Sequence, residues 1–466
     1  MKIILVRPQP SPLTIGLQHL MIVEPLELEV LAALASPEDE LLIVDMILEK
    51  QPLEYFLRDF RPELFCTTGY ITHLPVMMDY CRKAKAALPN VKTVVGGVHV
   101  EKFPEDIDSP DVDFRVVRNA TRAFPQLLDH LKYGAPFPAG VLRPGEAHRP
   151  HLLPPYDFYF PLPRRELTAR YRHKYFYVFH DKVALMKTAF GCPYQCNFCF
   201  CRKITDDHYF ARPLEDVLEE LFSIREKEVY IVDDDFLLSP KRVAAFINML
   251  KAHNIRKRYL VYGRADFIIR YPELIREFRA VGLRTVIVGL ESFDDEELEH
   301  YNKHSSRDIN ERAMKVLNRY GVDCYAAVIT APNWDAGHFQ RAGDKMLELG
   351  IKFVNLQPLT PLKGTGIEVP DEHLAIRHDD YARWDLAHVA IRPEKMSLRE
   401  YYAQILHLYE RIVFNPANML SLAVRHPLRM QWKLAKGIRR VRQQYLKRIE
   451  EASSYAEDIT HTSHTV

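Results

Sequence analysis

Four of the seven cysteines fall between Cys192 and Cys201, in the stretch AFGCPYQCNFCFCRK at 189–203. Cys192, Cys196 and Cys199 make C-x3-C-x2-C. Three thiolates this close on one loop can converge on a cuboidal iron–sulfur cluster, for which thiolate is the usual protein ligand. Three ligands leave one iron of a four-iron cube open, and an incompletely ligated metal can take up a substrate. The competing reading is a zinc site completed by Cys201 or His208, although zinc sites normally pair CxxC knuckles and no second knuckle exists here. Cys201 is either a spare packed thiol or a group behind the ligands.

Other polar residues stand where strands should end. Asp233, Asp234 and Asp235 invite a magnesium site, but side-chain alternation keeps all three from reaching one ion. Glu291 follows the apolar run TVIVGL and reads equally as a site carboxylate or a cap for the next helix. Arg264, in YGRAD, points into a site or into a salt bridge.

These residues need a frame. At 466 residues and 47% hydrophobic composition the chain has material for two or three domains. A formal net charge of +1 recommends no nucleic acid and no strongly charged partner. Seven cysteines are too few, and odd in number, for a secreted disulfide framework. The opening MKIILVRPQPSP is a first strand broken by Arg7 and Pro8 rather than a signal peptide, and no run reaches 18 apolar residues. A cytoplasmic, reducing setting is the expectation.

Residues 1–133 alternate strand and helix patterns (KIILV, ELLIVDMI, LFCTTGY, KTVVGGV and FRVV are the strands), which predicts a doubly wound parallel sheet in an α/β domain. Ligands of such sheets bind at the carboxyl ends of strands, here including Gly96, Gly97 and His99. His99 reads equally as a hydrogen-bonded loop histidine. Residues 134–180 are proline-rich and read as a linker. From 181 to 385 six β/α units predict a partial (β/α)6 barrel with its chemistry on the loops after the strands, and the cysteine loop follows the first strand. Residues 386–466 read as a helical C-terminal region ending in a disordered tail from 453. Within it Arg425–Arg448 holds nine Lys or Arg and no acid, with Leu434, Ile438, Val441 and Tyr445 forming an apolar stripe. That segment fits a solvated helix face packed on the barrel, or a peripheral membrane contact through 425–448.

GCPYQCNFC after a barrel strand resembles the signature of the radical S-adenosylmethionine (SAM) superfamily, including an aromatic residue, Phe198, before the third cysteine. YIVDDDF, VGLES and LQPLTPLKGT resemble that family's SAM-lining segments, over about 183–370. The resemblance implies a [4Fe–4S] cluster on Cys192, Cys196 and Cys199. It also implies SAM contacts from Asp233, Asp234, Arg264, Glu291, Ser292, Pro358 and Thr360, and reductive cleavage of SAM to a 5′-deoxyadenosyl radical by a donor such as flavodoxin or ferredoxin. With PLELEVLAALA, VDMI and VVGGVHV in order over 1–130, the chain resembles the cobalamin-binding subgroup, which implies cobalamin near Gly96, Gly97 and His99. Two departures stand out. Ile47 occupies the place of the cobalt-ligating histidine of D-x-H-x-x-G, with Lys50 for its glycine, and RNAT at 118–121 replaces a G-E-G-E turn.

The resemblance implies methyl transfer to an unactivated carbon. RPQPSPL, EPLELEVLAA and PNWD make the layout similar to hopanoid C-3 methylases, which implies a lipid substrate. Alternatives are a radical SAM cyclase, oxidoreductase or rearrangement enzyme, and a non-catalytic iron–sulfur protein. No motif identifies a catalytic residue.

Overall fold

The computed structural model describes residues 1–462 and divides into two compact units. The first comprises 1–14, 22–175 and 379–385. Its sheet is built from β1 (Lys2–Arg7), β2 (Glu40–Asp45), β3 (Leu64–Thr68), β4 (Lys92–Gly96), β5 (Phe114–Val116) and β6 (Val141–Leu142). Spatial order is β2-β1-β3-β4-β5-β6, parallel except for the antiparallel edge strand β6. Apolar runs such as KIILVR become central strands because both faces are covered. One face packs on α2 (Leu53–Phe60) and α3 (Leu74–Ala87), through Phe56, Leu57, Met77 and Cys81. The other packs on α1 (Leu26–Ala32) and α5 (Ala120–Tyr133), through Leu28, Phe124 and Leu127. A short α4 (Val98–Lys102) follows β4.

The proline-rich segment is folded onto this unit as far as Tyr175. Beyond β6, Arg165–Lys174 winds in 3-10 turns against β2, where Asp45 N–H donates to the Tyr171 hydroxyl at 3.3 Å. Tyr171 in turn donates to Glu49 at 2.5 Å. Proline forbids long regular elements there, but Tyr171 and Tyr175 are still buried.

The second unit comprises 15–21, 176–378 and 386–466. Its six strands are β7 (Val183–Met186), β8 (Glu228–Ile231), β9 (Arg258–Gly263), β10 (Leu283–Glu291), β11 (Asp323–Thr330) and β12 (Phe353–Pro358). They are parallel and stand in chain order, the expected partial barrel. Helices α6 (Leu214–Ser223), α7 (Pro240–Ala252), α8 (Pro272–Val281), α9 (Arg307–Tyr320) and α10 (Ala336–Glu348) separate them. Their starts are chemically specified: Ser239 accepts from Arg242 N–H at 3.3 Å, Ser306 from Ile309 N–H at 3.3 Å, and Asp335 from His338 N–H at 3.0 Å.

The C-terminal region is α11 (Leu398–Val413), α12 (Pro416–Arg425) and α13 (Leu428–Thr462). The stretch marked for disorder from 453 continues α13 as helix through Thr462, while residues 463–466 lie outside the described residues. The stripe of α13 faces inward: Leu434 and Tyr445 are buried, and Val441 packs on the core.

Gly97 sets the path after β4. Its φ is +106°, and a Cβ there would lie 2.5 Å from the Gly69 carbonyl oxygen. Gly97→Ala should therefore destabilise the first unit by about 2 kcal/mol or more. Denaturant unfolding followed separately in the two units checks this, with the barrel transition expected to stay in place.

Candidate functional site

The cysteine loop leaves β7 through Lys187 and Thr188, and the acids after β8 hold it. Asp233 accepts from Thr188 N–H at 2.6 Å, Thr188 Oγ1 at 2.5 Å and Ala189 N–H at 2.9 Å. Asp234 accepts from Gly191 N–H at 2.9 Å and from Lys187 Nζ at 3.5 Å. Burial pushes the Asp233 carboxyl above its usual range, and Lys187 and the Thr188 hydroxyl pull it back. Both acids are thus occupied as scaffold.

Asp235 differs. It is 4% exposed, and neither carboxylate oxygen reaches a hydrogen-bond partner, the Leu237 N–H exerting only a weak pull. Burial raises its pKa to about 7 against the attraction of Arg264 and Lys303. A buried acceptor without donors is costly, so such a group awaits a ligand with donors. The strand ends at Ile231, before all three acids, so strand alternation does not tell which of them stays free.

The far side of the loop is clamped by the segment after β10. Asn197 N–H donates to Tyr301 O at 3.2 Å, its Nδ2 to His300 O at 2.6 Å, and Asn302 Nδ2 to Gln195 O at 2.7 Å. Gly366 N–H adds a bond to Asn197 O at 2.7 Å. Phe198 packs edge-on against Tyr301 at 5.7 Å.

Glu291 sits at a bulge in β10 with φ +59° and pairs with Lys303 at 2.7 Å. A Cβ on Gly289 would fall 2.2 Å from the Glu291 carboxylate, so glycine makes room for the pair. Burial opposes the Lys303 charge, yet Glu291 and Cys196 more than offset it and raise its pKa. Arg264 donates to Asp266 at 3.0 Å and Lys303 O at 2.7 Å, and its guanidinium lies 3.7 Å from the centre of the Tyr194 ring. Ser292 donates to Glu297 at 2.5 Å, and Trp334 of PNWD donates to the same carboxylate at 2.6 Å. Thr360 donates to Pro358 O at 2.8 Å, buried at the end of β12. Lys303 and Tyr194 were missed in the sequence because their roles come from contacts across the barrel mouth.

The donor set fits a cluster. All three cysteines are free thiols, and Cys192 and Cys196 both sense the charge on Cys199. Burial pushes Cys192 up to about 12, while a hydrogen bond from Cys201 holds Cys199 below the ordinary thiol value. Cys201 therefore has work as a donor to Cys199. Among the described residues no three His, Cys, Asp or Glu side chains close on one ion. Three thiolates on a single zinc would stand about 3.8 Å apart, whereas a cube takes each on a separate iron.

In the first unit the strand ends offer backbone rather than ligands. The Thr67 hydroxyl at the end of β3 is buried without a partner, and a Cβ on Gly96 would meet only Val116, at 3.7 Å. Both features suit cobalamin laid against the sheet edge. Ile47 offers no ligating group, and Asp45 is held by Arg7 at 3.4 Å and Ile47 N–H at 3.2 Å. His99 Nε2 is bonded to Asp106 at 2.8 Å and its ring lies near Phe103 and Tyr381. In RNAT, Asn119 adopts φ +48° and starts α5, the left-handed conformation that asparagine tolerates. Its side chain is fixed by Pro155 O at 2.7 Å and Asp157 N–H at 2.9 Å.

Fold and site together define an enzyme that opens a partial barrel with a three-thiolate loop. Residues 186–345 match the Radical SAM superfamily and residues 14–128 the B12 binding domain. The chain is 27% identical over 418 residues to a hopanoid C-3 methylase of Methylococcus capsulatus, spanning 87% of this chain and 79% of that one. The Kitasatospora setae methyltransferase TsrM, solved with cobalamin and a [4Fe–4S] cluster, superposes with TM-score 0.63 over 97% of this chain and 99% of that one, at 16% identity. OxsB, solved with aqua-cobalamin and SAM, gives 0.67 over 100% and 81% at 12%. The chain therefore combines a radical SAM domain with a B12 binding domain, and the solved relatives hold a [4Fe–4S] cluster, SAM and cobalamin.

Asp233→Ala leaves two backbone donors and a hydroxyl unmatched in a buried loop. It should destabilise the second unit by about 3 kcal/mol and lower the iron retained after reconstitution, both read on the purified protein.

Proposed function

We propose that this enzyme transfers a methyl group to an unactivated carbon of a lipid substrate, polycyclic and hopanoid-like. The observation that carries the radical step is the free three-thiol loop facing an unpartnered buried carboxylate. Similarity to the hopanoid C-3 methylase across most of both chains supports methyl transfer and a lipid acceptor.

When bound, cluster and SAM supply a hydrogen-abstracting radical and cobalamin supplies the transferable methyl. In this reading Cys192, Cys196 and Cys199 hold the cluster. Asp235 takes the ammonium group of SAM, the donor its oxygens lack. Asp233 and Asp234 are positioning residues that fix the loop. Arg264, Glu291, Ser292, Pro358 and Thr360 shape the surrounding wall, with Lys303 holding Glu291 in place. Gly96 and Gly97 give cobalamin its backbone approach, while His99 supports the loop below. A one-electron donor such as flavodoxin or ferredoxin completes the system.

Among the described residues no helix is long and apolar enough to cross a membrane. A lipid substrate would then be met at a bilayer surface. The inward-facing stripe of α13 is not available for that contact, but the corner between α12 and α13 exposes Leu420, Val424, Leu428 and Trp432.

Anaerobic turnover with methyl-labelled SAM in a lipid extract tests the reaction. Label should enter a lipid product, and the loaded protein should show corrinoid absorption. Cluster absorption with deoxyadenosine formation but no corrinoid band and no labelled lipid would instead support a cyclase or oxidoreductase. Any of Cys192→Ala, Cys196→Ala or Cys199→Ala should abolish deoxyadenosine formation. Asp235→Asn should weaken SAM binding by roughly tenfold or more while iron content stays at the parent level.

A further inference from the structure

A cavity lies at the opposite end of the barrel from the cysteine loop. It occupies about 340 Å³ and is lined by residues at the amino ends of the strands and by the α12–α13 corner. Glu228, Arg258, Arg284, Thr285, Asp323 and Phe353 all stand at or near strand starts. Catalytic residues of such barrels sit at the carboxyl ends, so this cavity is outside the reaction.

Two of its three acids are held in ion pairs, and the third, Asp181, attracts Lys433. Glu228 is bonded to His180 at 2.9 Å and pairs with Arg258, and Asp323 pairs with Arg425 at 2.8 Å. Arg284, Arg429 and Lys433 remain. Among the described residues none of them enters a salt bridge, and Arg284 donates only to the Arg279 and Leu283 carbonyls at 3.3 and 2.9 Å. Burial and the neighbouring Arg429 depress Lys433 to about 8 against the pull of Asp181. Burial, Arg279 and Arg258 likewise depress Arg284 against the pull of Glu228. Five Arg and Lys side chains against three acids leave the lining with an excess of positive charge, which favours an anion among them. One wall is aromatic: Phe179 stacks on His426 at 3.9 Å and meets Phe353 at 5.2 Å.

The corner that closes the cavity identifies the source of the anion. Arg425, His426, Arg429, Met430 and Lys433 turn towards the cavity. On the remaining faces of the same two helices Leu420, Val424, Leu428 and Trp432 are 67–78% exposed. Apolar residues including a tryptophan, flanked by arginines with long stems, suit the headgroup layer of a bilayer. We propose that this cavity binds the phosphate headgroup of an anionic phospholipid, with the α12–α13 corner resting in the lipid interface. The site is separate from the methyl-transfer reading and stands whether or not the substrate is a lipid.

Co-flotation of the full chain with vesicles tests it. Mixed phosphatidylcholine–phosphatidylglycerol vesicles should bind, and phosphatidylcholine vesicles should bind much more weakly. Arg284→Gln with Lys433→Gln should lower affinity for the mixed vesicles roughly thirty-fold. The outward pair Lys436→Gln with Arg440→Gln removes equal charge and should cost clearly less. Thermal unfolding verifies both doubles, and Lys433→Gln alone replaces the cavity pair if that pair unfolds early. Equal losses from the two pairs, or equal binding to both vesicle types, would overturn the proposal. Full competition by soluble glycerol phosphate would also overturn it, by assigning the cavity to a free phosphate ester.

Discussion

A carboxylate removed from water has to be surrounded by donors, and Asp233 finds all of its donors in the loop that carries the thiols. The rest of the site follows from that demand. With Thr188 and Ala189 anchored, and Gly191 held by Asp234, the three cysteines start from a fixed position next to β7. The other flank is tied by amides and carbonyls of 300–302 and 366. Thiols on a free loop would explore many arrangements. Here the entropy is removed before any metal arrives.

Buried charge around the loop is met either by an ion-pair partner or, at Asp233, by loop donors, and Asp235 has neither. Glu291 meets Lys303 and Arg264 meets Asp266, so each ion is desolvated beside a partner. Asp235 is unmatched, and its raised pKa expresses that cost. Structures rarely keep such a group unless another molecule completes it.

Much of this was legible in the sequence. The central strands of both units show as apolar runs, since parallel strands covered on both faces are largely hydrophobic, while the edge strand β12 alternates with Asn355 and Gln357. The cysteine spacing carried the centre by itself. Side-chain partners at the strand ends were harder to read: Asp233 and Asp234 bond to the cysteine loop, Asp235 has no hydrogen-bond partner, and Lys303 reaches Glu291 from a distant turn. Pairing across a barrel mouth is long-range and leaves no local pattern. The stripe of α13 was visible as a period, but a period does not tell whether the apolar face meets protein or lipid. Burial of Leu434 and Tyr445 answers that, and the exposed apolar surface lies one corner away.

Asn119 bears on how a turn can change its letters. In RNAT the left-handed φ of +48° falls on the second residue, while Arg118 and Ala120, which stand in the glycine places, are not left-handed. The chain is fixed there by side-chain bonds from Asn119 to the Pro155 carbonyl and from the Asp157 N–H to Asn119. A loop freed by glycine has thereby been exchanged for one braced through an amide.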